Sequence, residues 1–144
     1  MIEPFVITQE DSDVTQSDTT AASMTDLFKY RVPKGWSILL RPTDVIAMDL
    51  DETDGTVAQN TDEVKLEIRD STETEKKTVL GPILYSRFAA SGVGEWRDED
   101  KLVKLGIGTE VEVNQREYIV LMTNGTAITD KDLSAFDLRV HRRR

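Results

Sequence analysis

An antiparallel β-sandwich or barrel, with an extended N-terminal arm and one or two short helices, is the fold class predicted for this chain of 144 residues. Three observations predict it. Val64, Leu66 and Ile68 alternate strictly with Lys65, Glu67 and Arg69, the two-residue period of a strand with one covered face. Short apolar runs recur between Pro, Gly, Asn and Asp signals at intervals too short for the crossovers of a parallel sheet. Leu, Ile, Val and Phe make up 38 of the 144 residues, enough to supply one compact core.

Each element has its own reason. Leu27–Val32 alternates loosely and meets Pro33-Lys34-Gly35, a turn-forming tripeptide that leads into Trp36. Trp36–Arg41 and Val45–Leu50 are apolar runs divided by Arg41-Pro42-Thr43-Asp44, where proline blocks the ladder and Asp favours a turn. Lys76–Leu80 follows the polar loop Ser71–Glu75 and is the natural antiparallel partner of the Val64–Arg69 strand. Val111–Val113 and Tyr118–Thr123 read as a second hairpin, the latter apolar enough to be covered on both faces. Asn124-Gly125 signals a tight turn, with Thr126–Thr129 as a return strand. Ile83–Ala90 and Asp130–Ala135 read as the short helices, and Phe136–Val140 as a closing strand.

Charge divides the chain unevenly. The net charge is −9, yet residues 1–26 hold six acids and no base, so the remaining 118 residues are only mildly acidic. Residues 1–26 therefore read as an acidic flexible arm, and 27–144 as a β domain with a basic C-terminal end, His141-Arg142-Arg143-Arg144. An acidic arm and a basic end suit docking between subunits. The acidic balance disfavours generic adhesion to nucleic acid or anionic lipid, and Met1–Thr8 has neither the basic nor the apolar region of a secretory signal. The longest uncharged apolar runs, such as Tyr118–Met122, fall far short of the roughly 20 residues of a membrane span.

The sequence is poor in catalytic groups. With no Cys and one His, thiolate zinc sites, histidine clusters and cysteine nucleophiles are excluded, and a Ser-His-Asp triad would need His141 as its base. No metal, cofactor or catalytic residue is expected. One motif argues otherwise. Val45–Thr53 is an apolar strand ending in Asp49-x-Asp51-x-Thr53, which resembles the first motif of the haloacid dehalogenase-like phosphatases. That resemblance implies Asp49 as nucleophile, Asp51 as acid/base and a magnesium ion between them. It also implies a parallel sheet with crossover helices, for which the short polar loops leave little room. As a calcium loop the same acids fail, because Gly55 falls one place late and Asn60 stands where a bidentate Glu is needed.

Aromatic and basic side chains are the better candidates for function. Trp96 sits in the charged stretch Gly94-Glu95-Trp96-Arg97-Asp98, Tyr85 and Phe88 lie in the segment between the sheets, and Arg142, Arg143 and Arg144 close the chain. These six residues are the expected partner contacts. The arm before Leu27, the lead-in Arg31-Val32-Pro33-Lys34-Gly35-Trp36 and the closing Phe136–Arg144 stretch together give an organisation that resembles the decoration, or cement, proteins on the capsids of tailed viruses. The resemblance implies a noncatalytic virion protein at the capsid surface, a trimer that bridges and stabilises subunits of the major capsid protein.

Overall fold

A computed structural model of the chain describes residues 1–12, 24–52, 63–84, 103–105, 107–123 and 131–144. Ten strands carry the described fold: β1 (Ile2–Thr8), β2 (Thr25–Arg31), β3 (Ser37–Leu40), β4 (Val45–Glu52), β5 (Glu63–Arg69), β6 (Lys76–Leu84), β7 (Val103–Lys104), β8 (Val111–Val113), β9 (Tyr118–Thr123) and β10 (Lys131–Arg143). A single 3₁₀ turn, Gln9–Asp11, follows β1.

The strands form two antiparallel sheets. In the larger, β10 runs along β1 on one edge, pairing Ile2 with Arg143 through Thr8 with Asp137. Its other edge takes β4 along Lys131–Arg139 and β3 along His141–Arg143. β3 and β4 thus trace one line interrupted by the turn Arg41–Asp44, and β8 and β7 flank them in the same way. The Asp44 carboxylate closes that turn by accepting the Arg41 backbone N–H at 2.8 Å. The smaller sheet has the order β2-β9-β5-β6. Counting β3/β4 and β7/β8 as one strand each, the first strand pairs the last, the second the seventh, the third the sixth and the fourth the fifth. That is the jelly-roll arrangement, a doubled ribbon rolled into two facing sheets.

The core lies between the sheets. Val64, Leu66 and Ile68 of β5, Ile119 and Leu121 of β9, Ile46 and Met48 of β4, and Leu138 and Val140 of β10 are all buried in it. Phe28 of β2 meets Phe136 of β10 with ring centroids 4.5 Å apart, joining the two sheets. The register of β6 against β5 shifts twice, at a bulge where Gly81 and the cis-bonded Pro82 oppose Lys65 alone and again at Val79, between the partners of Leu66 and Glu67.

Several expectations change. Lys131–Ala135, read as helical, is the first part of β10, because pairing with Glu52–Asp49 supplies a ladder that local propensity does not foresee. The other helical stretch opens in strand, since Ile83 and Leu84 continue β6, and residues 85–90 lie outside the described residues. β8 and β9 are not a hairpin: β8 joins β3 in one sheet and β9 lies between β2 and β5 in the other, so Asn114–Glu117 crosses the sandwich. Ile2–Thr8, counted with the acidic arm, is a strand of the larger sheet. Residues 13–23 of that arm and the return strand expected at Thr126–Thr129 lie outside the described residues.

Candidate assembly surface at the β1–β10 edge

Strand alternation divides the basic C-terminal end into two faces. His141–Arg143, expected beyond the closing strand Phe136–Val140, is the end of β10 itself. Arg142 follows the inward set of Phe136, Leu138 and Val140. Its guanidinium lies 4.2 Å from the Phe5 ring centroid and 4.1 Å from that of Trp36, and its Nε donates to Glu3 at 2.7 Å. Arg144 packs over the same Trp36 ring at 4.4 Å. The stack closes one end of the sandwich, and Phe5 continues it to Tyr30 on the opposite sheet, 6.4 Å between centroids. Trp36 is held there by the turn before it. Gly35 adopts φ +86, donates its N–H to the Gln115 side chain at 2.9 Å, and lets Trp36 donate to the Pro33 carbonyl at 3.1 Å.

The other set of β10 residues faces outward. Arg143, His141, Arg139 and Asp137 share a face with their register partners Ile2, Pro4, Val6 and Thr8. Arg143 holds Glu112 of β8 with two bonds of 2.8 Å, and this pairing keeps the Glu112 carboxyl below its ordinary pKa. Arg139 and Asp137 stand 3.7 Å apart, too far for a hydrogen bond. His141 Nδ1 lies 3.7 Å from the buried Asp44 carboxylate. Among the described residues the exposed large hydrophobic side chains are Met1, Ile2 and Val6, all at this edge. Pro4 in their midst suits an edge strand, where no ladder donor is needed.

No protein-family profile matches the chain, and no curated protein matches it. Solved structures do. The chain is similar to the VP16-VP17 complex, a complex of the two major capsid proteins of bacteriophage P23-77, with a TM-score of 0.70 at 10% identity, covering 100% of this chain and 99% of that one. It is similar also to VP17, a capsid protein of the same bacteriophage, with a TM-score of 0.68 at 10% identity, covering 100% and 96%. At that identity the likeness is one of fold.

A second polar constellation lies on the smaller sheet. Lys65, Glu67 and Arg69, the charged residues that alternate with the apolar face of β5, belong to a cluster in which Glu67 and Arg69 are buried. Arg69 donates to Glu67 at 2.8 Å, to both oxygens of Asp26 at 2.6 and 2.7 Å and to Glu73 at 3.0 Å. Lys29 reaches Glu73 at 2.7 Å and Lys65 reaches Glu67 at 3.3 Å, so three bases meet three acids. Burial works to raise the Asp26 carboxyl, but Arg69 and Lys29 outweigh it and hold it below its ordinary range. The hydrogen bond from Lys29, aided by Arg69, likewise depresses Glu73. Arg69 itself is raised, chiefly by its bonds to Asp26. The arrangement ties β2, β5 and the 70–75 turn together and has no reacting geometry.

The phosphatase reading does not survive the topology. Asp49 and Asp51 lie within β4, paired with Ala135 and Asp132 of an antiparallel neighbour, and not at the carboxyl end of a parallel strand. Among the described residues no group of three or more His, Asp or Glu is placed to hold a metal ion. Of the expected partner contacts, Tyr85, Phe88 and Trp96 lie outside the described residues. Arg142, Arg143 and Arg144 come together at one end of the sandwich, with Arg142 turned inward. Sequence reasoning missed Glu3 and Phe5, which fix Arg142, Glu112, which fixes Arg143, and the apolar Ile2, Pro4 and Val6. The signal was present in Ile2–Ile7, a run of apolar side chains on both strand faces, broken only by Glu3.

Proposed function

We propose that the chain is a noncatalytic structural protein of a virus particle, a subunit that assembles with other capsid proteins. The observation that carries this reading is the extent of the structural likeness: all of this chain superposes on nearly all of a capsid protein chain. A jelly roll suits a building unit. The exposed apolar and ionic edge at β1–β10 supplies a surface for contact with neighbours.

The narrower form of the reading is a trimeric decoration protein that bridges major capsid subunits at the capsid surface. One experiment tests both. Particles banded on a density gradient are washed in rising salt, and each fraction is analysed by mass spectrometry. A shell subunit is expected to stay with the particle, at a copy number comparable to the most abundant capsid protein. A decoration protein is expected to leave first and spare an intact shell. Expression of the chain without recovery in particles would overturn both forms.

A further inference from the structure

We infer that the outer face of β1 and β10 is a two-fold contact between copies of this chain, centred on Asp137 and Arg139. The inference deepens the capsid-subunit reading, and rests on it for the purpose of the contact. Three observations carry it. The exposed large apolar side chains among the described residues gather at this edge, and Val6 stands beside Arg139 in the register. Charge on the face is locally balanced, since Arg143 is matched by Glu112 and Arg139 by Asp137. Copies of a chain carrying −9 repel one another, and they meet at least cost where the sign cancels.

The third observation selects the occupant. Arg139 and Asp137 lie two residues apart on one face of one strand, carry opposite charge, and pair only loosely, 3.7 Å from nitrogen to oxygen. A two-fold axis passing between them in the plane of contact sets Arg139 of each copy against Asp137 of the other. The loose pair within each copy is then exchanged for two pairs across the contact, and the Val6 side chains are brought into it. The face is self-complementary, which an unrelated partner does not require. A contact of this kind joins single protomers or larger capsomers alike.

Sedimentation velocity over a concentration series tests the contact with purified full-length protein, with circular dichroism as the check on folding. The wild-type chain is expected to self-associate. Arg139→Asp and Asp137→Arg, which place like charges across the axis, are each expected to weaken association roughly tenfold or more. Mixing those two variants is expected to give a heterodimer, and the double exchange D137R/R139D to restore self-association. Val6→Asp is expected to abolish it. A monomeric wild-type chain at the highest attainable concentration overturns the inference. So do single variants that associate as the wild type does, or mixtures that associate no better than their parts. Particle analysis separates this outcome from the reading beneath it. Variants that lose the contact while the wild-type chain is still found in particles leave the capsid role standing. Self-association without recovery in particles leaves the contact standing and removes the role.

Discussion

The Arg142 guanidinium stands 4.1 Å from the centre of the Trp36 ring and fastens the end of β10 to the turn that precedes β3. With Phe5 on its other side and Glu3 at its Nε, it fills the end of the sandwich as an apolar side chain would while keeping its charge paired. Arg142→Ala is therefore expected to cost about 2 kcal/mol, and Arg142→Lys to recover part of that because the planar stacking is lost. Urea midpoints measure the cost. Trp36 emission, read in a Trp96→Phe background, should shift to the red as the ring gains water.

Removing Arg69 is expected to be more severe. It is 5% exposed and Glu67 is 2% exposed, so Arg69→Ala leaves the buried Glu67 carboxylate with only the longer contact to Lys65 and releases Asp26 and Glu73 from the guanidinium they share. A loss of roughly 3–5 kcal/mol is expected, and Arg69→Met combined with Glu67→Leu should recover most of it, since both members of the buried pair are then removed together. Denaturation curves of the single and paired variants decide this.

Acid sensitivity follows from the same carboxylates. Asp26, Glu73 and Glu112 titrate below their ordinary values in the folded chain. Their contribution to stability is fully present above the unfolded carboxylate range, about 3.9–4.3, and is lost as the pH falls through the depressed folded values. The urea midpoint is expected to drop below about pH 4 and to drop less steeply in Glu73→Gln. A midpoint independent of pH between 5 and 2.5 would contradict this assignment.

Two glycines with positive φ should respond differently. A Cβ at Gly81, φ +89, would lie 2.5 Å from the Val64 carbonyl oxygen, whereas one at Gly35, φ +86, meets nothing within 4 Å. Gly81→Ala is expected to cost about 3 kcal/mol through the clash and the backbone together. Gly35→Ala should cost about 1 kcal/mol, the backbone term alone. Thermal unfolding of the two variants measures the difference.

Legibility in the sequence varied with how local the cause was. The Val64–Ile68 alternation and the Arg41–Asp44 break are written in neighbouring residues, and both are observed. Lys131–Ala135 was illegible because its strand character comes from Asp49–Glu52, some eighty positions earlier. β1 was hidden beside an acidic run, with apolar side chains on both of its faces and so no alternation to read. The Val111–Thr123 segment has the punctuation of a hairpin, but a turn does not announce that its arms enter different sheets. At the candidate surface, the three arginines were visible as a cluster. That Arg142 is an internal plug and Arg143 an external pair depends on the strand period, which places adjacent side chains on opposite sides.

β10 joins β1 to β3 and β4, yet it follows all of them in the chain. During synthesis the larger sheet has no spine until that strand emerges from the ribosome, and its ladder then spans some 140 positions. Folding is correspondingly late and slow, and the surface that β10 completes does not exist on a nascent chain.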